Sequence, residues 1–218
     1  TDPLVGVGDY GQSKIDAEAL CAEFGPRGLE VVVVRPKTFV GPERLGVFEI
    51  LFDWIRGGHR IPILGSGENR YQLLAVEDLV DAVVRCFDAP VAGRALNVGA
   101  GRFGTVREDL EALIGHAGSA SRLLPVPVGP TDTVLRALEL AHLSPLAEWH
   151  YRTAHKDSFV SIDAARKLLG WEPRLSNAET LCSTYDWYLD HLAEMRAAGT
   201  THRVPWDQRA LGVLKRAL

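Results

Sequence analysis

The sequence is poor in the residues that staple, ligate or anchor a chain. Its 218 residues hold three cysteines, Cys21, Cys86 and Cys182. They lie far apart, in neither a metal spacing nor a disulfide framework, and read as small buried apolar residues of a reducing, cytoplasmic protein. The seven histidines form no H-x-H or H-x-x-x-H set, so the pattern predicts no metal centre. No run of Lys and Arg builds a basic stretch, and the formal net charge is −4. Nucleic acid and anionic membrane surfaces are therefore not expected as partners. Apolar stretches are only a few residues long, far short of the roughly 20 that span a bilayer, and no secretory signal is expected. Methionine is missing from the first position, where Thr1 stands, so the sequence reads as one that was cut, processed or expressed as a piece.

What remains is an ordinary globular composition, 46% hydrophobic and 24% charged. The length suits one large domain or a domain and a half. A helix is expected from about residue 10 to 24, stopped by Gly25-Pro26. Leu29–Val34 contains four consecutive valines and reads as a strand buried on both faces, the signature of a parallel sheet. Further on, the pattern predicts a helix at Val47–Ile55 and strands at Ile61–Leu64 and Tyr71–Ala75. It continues with a helix at Glu77–Phe87, a strand at Arg94–Val98 and a capping box at Thr105-x-x-Glu108. A strand at Leu123–Val128 and helices at Thr131–His142, Ser161–Leu169, Asn177–Ala197 and within Val204–Leu218 complete the reading. Strands alternate with helices, so the class is α/β. The valine strand needs sheet neighbours that the sequence does not obviously supply. They are expected upstream of Thr1 or on another chain.

Two motifs overlap in VGVGDYGQSK. Gly6, Gly8 and Gly11 spell G-x-G-x-x-G, which cradles a pyrophosphate when a strand delivers it to a helix N-terminus. Here Pro3 interrupts the short lead-in, and Glu30 stands at the start of the next strand rather than its end, so the context fails. Tyr10 and Lys14 instead spell Y-x-x-x-K, i and i+4 on one helix face. An ammonium beside a phenol favours the phenolate, which lets a tyrosine move protons below its ordinary pKa of about 10.

The run YGQSKIDAE, with Glu18 completing it, resembles the active-site helix of the extended short-chain dehydrogenase/reductase family, the NAD-dependent epimerase/dehydratases. Four further stretches resemble that family in the same order: VVVVRPKTFVGP, NRYQLLAVEDLVDAV, ALNVGAG and SIDAARKLLGWEPR. The resemblance covers about residues 10 to 174. It implies the C-terminal part of a Rossmann-type doubly wound parallel sheet plus a smaller α/β substrate-binding lobe. Residues 1–60 would hold the remainder of the Rossmann-type domain, and 61–218 mainly the lobe, with a return strand near 94–98.

The resemblance also implies roles. Tyr10 would be the catalytic acid/base, and Lys14 its electrostatic partner and cofactor ribose ligand. Pro36 and Thr38 would lie at the nicotinamide of NAD or NADP, and Thr38 would also meet substrate. Arg70 would grip substrate phosphates, a task suited to its fixed donor fork. Asp78, at the start of a helix, reads as structural.

Three departures are visible. Thr38 stands where sugar-nucleotide members often carry asparagine, and Val40 replaces a tyrosine. The run Ala154-His155-Lys156-Asp157 replaces R-P-G-D, leaving Arg152 or Lys156 as substitutes for a second phosphate ligand. Leu135–Tyr151 is rich in Leu, Ala and aromatics, which suits either plain packing or an apolar pocket. The substrate is thus a nucleotide sugar or an apolar alcohol, the latter as in 3β-hydroxysteroid-dehydrogenase-like relatives. A non-catalytic substrate-lobe module is the reading from another class. The nucleotide-binding half and the catalytic Ser/Thr are expected elsewhere, upstream or on a partner chain, and the isolated 218 residues are expected to be inactive. The resemblance is also compatible with a homodimer.

Overall fold

The computed structural model describes residues 4–6, 8–141, 153–197 and Lys215. Helix α1 (Gly8–Phe24) ends in a 3₁₀ turn, Gly25–Arg27, closed by Gly28 in the left-handed region at φ 93°. Strands β1 (Val33–Pro36) and β2 (Thr38–Val40) follow, then helix α2 (Phe48–Arg56) and strands β3 (Ile61–Leu64) and β4 (Leu73–Ala75). Next come α3 (Val76–Asp88), β5 (Ala95–Val98), α4 (Val106–His116), β6 (Leu123–Val126) and α5 (Val128–Leu140). The chain continues with α6 (Asp163–Leu169), α7 (Asn177–Asp190) and α8 (Leu192–Ala197).

All three strand pairs are parallel: β1 with β5, β2 with β4, and β3 with β6. Parallel strands need long crossovers, and the helices supply them. Two hydrophobic cores result. One gathers Leu74, Ala82, Leu96, Val98, Ala165 and Trp171 from β4, α3, β5, α6 and the loop after it. The other gathers Phe52, Ile55, Ile61, Leu73, Leu113 and Leu181 around α2, α4 and α7. Leu73 and Leu74 go to different cores because successive strand residues face opposite sides. Fully buried side chains such as Ile55 and Leu113 each contribute about 1.5–3 kcal/mol of hydrophobic stabilisation.

The caps are local and legible. Thr105 accepts from the Glu108 N–H while the Glu108 side chain accepts from the Thr105 N–H, and Ser176 and Glu179 repeat the device at α7. Gly170 ends α6 in the left-handed region, φ 57°.

Several expectations need correction. The valine strand begins at Val33, not Leu29, and its residues are half-buried rather than buried on both faces. Among the described residues β1 pairs with β5 alone, and α1 contributes no buried residue. Four valines specify strand propensity, but their burial is decided by the neighbours. The helix expected over Asn177–Ala197 is two, broken at His191 (φ −106°, ψ 8°), whose ring stacks on Trp187 at 4.4 Å. The helix expected from Thr131 starts three residues earlier, at Val128, where the preceding strand has already ended. Of Leu135–Tyr151 only the first part is described. The rest, with Arg152 and all of Val204–Leu218 except Lys215, lies outside the described residues.

Candidate active site

Tyr10 and Lys14 lie on the first turns of α1, both exposed, with the Lys14 Nζ 5.3 Å from the centre of the Tyr10 ring. The Ser13 hydroxyl donates to the Tyr10 carbonyl at 2.8 Å, so Ser13 faces the helix backbone. The glycines around Tyr10 serve a close approach. A Cβ on Gly11 would sit 2.9 Å from the Gly6 Cα, and one on Gly6 would sit 2.7 Å from the Gln12 nitrogen. The chain ahead of α1 therefore folds back onto its first turn. Residues 4–6 form no strand, and the strand–turn–helix of a dinucleotide fingerprint is absent among the described residues at this motif.

Helix α1 is tied to β1 by an ion pair. The Arg35 Nε donates to both Glu18 carboxylate oxygens at 3.0 Å, and Nη2 donates to Oε2 at 2.5 Å. These bonds favour the charged guanidinium and push the Arg35 pKa up.

At the end of β1, Pro36 is exposed and the Lys37 N–H donates to the Val98 carbonyl at 2.9 Å. The Lys37 ammonium turns into a half-buried niche, where it donates to the Ser158 hydroxyl at 2.6 Å and faces the Tyr71 ring at 5.2 Å. Burial pushes its pKa down. Thr38 Oγ1 is 3.1 Å from the Tyr71 hydroxyl.

Arg70 precedes Tyr71 and is exposed. Its guanidinium carbon lies 4.5 Å from the Phe103 ring centre and 5.4 Å from that of Phe159, and Nη2 donates to the Phe103 carbonyl at 3.4 Å. Its backbone is fixed by residues 157 and 158: its N–H donates to Asp157 Oδ1 at 2.8 Å, and its carbonyl accepts from the Ser158 N–H at 2.8 Å. Asp157, at the aspartate of the departed R-P-G-D run, thus holds the arginine's backbone.

A buried polar frame supports this stretch. Gln72 donates to the Ala100 carbonyl at 2.8 Å and accepts from the Val160 N–H at 2.9 Å. Gly99 makes room, because a Cβ there would meet the Gln72 carboxamide at 2.6 Å. Asn177, the first residue of α7, accepts from the Leu73 N–H at 2.8 Å. It donates to the Tyr71 carbonyl and to Asp109 Oδ2, each at 2.7 Å. Burial pushes the Asp109 carboxyl up, opposed by bonds from Asn177 and the Gly104 N–H.

Asp78, 1% exposed, is a brace. Its carboxylate accepts from the Arg174 N–H, the Arg174 Nε and the Leu175 N–H, which pins the segment after α6 onto α3.

The structure brings Thr38 to the residue after Arg70 through the Tyr71 hydroxyl, while Tyr10 and Lys14 come from α1. Sequence reasoning passed over Tyr71 and Ser158, and took in Lys37 only as the middle of the span Pro36 to Thr38 expected near nicotinamide and substrate. Lys37 had a signal, an ammonium directly after a valine strand and Pro36; Ser158 had none.

Parallel strand pairs crossed by helices, with a Tyr–Lys pair on the helix before β1, define a Rossmann-type α/β protein, and solved structures agree. The UDP-glucose 4-epimerase of Thermotoga maritima with UDP-glucose superposes at a TM-score of 0.66, with 23% identity, over 84% of this chain and 54% of that one. The UDP-glucuronic acid 4-epimerase of Bacillus cereus with NAD gives a TM-score of 0.66, with 17% identity, over 85% and 53%. Residues 1–99 match the NAD dependent epimerase/dehydratase family. The uncharacterized protein y4nG of Sinorhizobium fredii is 39% identical over 213 residues, 96% of this chain and 53% of that protein. The chain spans about half the length of these relatives.

Proposed function

We propose that the chain carries the acid/base pair and substrate lobe of an NAD- or NADP-dependent epimerase/dehydratase-type oxidoreductase acting on a nucleotide sugar. The observation that carries this reading is the Lys14 ammonium 5.3 Å from the Tyr10 ring on an exposed helix face. An exposed pair of this kind fits a cofactor ribose and a substrate hydroxyl, because both can reach it.

The nicotinamide, when bound, supplies the hydride acceptor and donor. Tyr10 Oη takes the proton of the sugar hydroxyl as its carbon is oxidised, and returns it on reduction. Lys14 is the electrostatic partner of Tyr10 and holds ribose hydroxyls. Pro36 and Thr38 border the nicotinamide, with Thr38 oriented by the Tyr71 hydroxyl. Arg70, held flat against Phe103 and Phe159, presents its outer N–H groups to the substrate's phosphates. Residues 1–60 belong to the Rossmann-type part and 61–218 mainly to the lobe, with β5 returning to β1.

The test is turnover of the native protein with NAD or NADP and a panel of nucleotide sugars. Tyr10→Phe is expected to lower kcat by about 10²–10⁴-fold while nucleotide-sugar affinity stays unchanged. Unaltered turnover in Tyr10→Phe would remove the assignment.

A further inference from the structure

Among the described residues Lys37 is a cation without a counter-ion. Among the described residues its ammonium contacts the Ser158 hydroxyl and the Tyr71 ring and no carboxylate. Burial pushes its pKa down. Half-burying an unpaired ammonium costs folding free energy, and an apolar side chain of the same length would fill the niche more cheaply. Only one of its three N–H donors is used by the described residues.

Its place is informative. Lys37 lies between Pro36 and Thr38, and its two neighbours belong to the bridge that also carries Arg70. Tyr71 pairs with Ser158, and the Ser158 N–H donates to the Arg70 carbonyl. The side chain of Lys37, coming from the junction of β1 and β2, thus meets the short frame that carries Arg70. Arg70 is the planar fork that suits phosphate; Lys37 is the compact point charge that suits one further anionic group.

Resting on the nucleotide-sugar reading above, we propose that Lys37 is a specificity-determining residue whose ammonium pairs with an acidic group on the sugar itself, the carboxylate of a nucleotide-linked uronic acid. Ser158 and Tyr71 hold the ammonium in place, and Thr38 positions the neighbouring hydroxyl of Tyr71.

The experiment is calorimetric titration of the native protein with UDP, UDP-glucose and UDP-glucuronic acid, repeated with Lys37→Met and Lys37→Gln. The wild type is expected to bind UDP-glucuronic acid about tenfold more tightly than UDP-glucose. Both variants are expected to lose that preference and keep their affinity for UDP and UDP-glucose. A preference that survives in both variants overturns the proposal, as does a wild type that binds both sugars equally. Equal weakening of all three ligands would put Lys37 on the phosphates and also overturns it. Failure of the wild type to bind any of the three overturns the nucleotide-sugar reading, and this inference with it.

Discussion

Arg35 grips Glu18 with two nitrogens, and this pair joins the helix that carries Tyr10 to the strand that ends at Pro36. Helix α1 has no buried residue, so little else on its own surface fixes it. Both partners belong to motif stretches read in the sequence, Glu18 closing YGQSKIDAE and Arg35 opening RPKTFVGP. The pair is part-exposed, which limits its worth. Glu18→Ala is expected to cost about 1 kcal/mol and to speed amide exchange along α1 far more than along β5. Unchanged exchange in α1 would show that the pair does not hold the helix.

Arg70→Lys keeps the charge and loses the fork. Nucleotide-sugar affinity should fall about tenfold, with thermal stability unaltered, since Arg70 is exposed. Isothermal titration beside a melting curve separates the two effects.

Lys37→Met should stabilise the protein by about 1 kcal/mol at neutral pH, by replacing a half-buried unpaired charge. The sign of its pH dependence follows from the depressed pKa of the folded state. Between that value and the ordinary 10.5, the unfolded chain holds a proton that the folded one has released, so wild-type stability rises with pH. The advantage of Lys37→Met should therefore shrink as pH approaches 10.5. Tyr71, the titratable neighbour, is common to both proteins. Denaturant melts across this range check the trend, and a widening gap would contradict it.

Asn177→Leu leaves the Leu73 N–H and the Tyr71 carbonyl without a buried partner and takes one of its donors from Asp109. The expected loss is about 3 kcal/mol, measurable by urea unfolding, with no gain from the added apolar volume.

Asp78→Ala releases three donors on residues 174 and 175. It should cost about 2 kcal/mol and leave the nucleotide-sugar affinity of the folded fraction intact. A selective loss of affinity at unchanged stability would make Asp78 a ligand rather than a brace.

The local grammar of this chain was legible. The capping box at Thr105, the stop at Gly170 and the i, i+4 spacing of Tyr10 and Lys14 are written within four residues of themselves. The polar frame was not. Gln72 and Asn177 look like ordinary polar residues in a strand and at a helix start, because their partners lie 28 to 106 residues away. The valine run was legible as a parallel strand that lacks neighbours within this sequence, and among the described residues it is half-buried with β5 alone beside it. Lys37 was legible as a residue but not as a contact, because Ser158 lies 121 residues downstream.

The amide of Asn177 also sets an order in time. Leu73 donates to a residue 104 positions later, so the arm that presents Arg70 and Tyr71 is not fully locked until Asn177 has been made and has left the ribosome. Until α7 appears, the Leu73 N–H and the Tyr71 carbonyl lack their partner. The arm is therefore expected to take its final place only once α7 has been made.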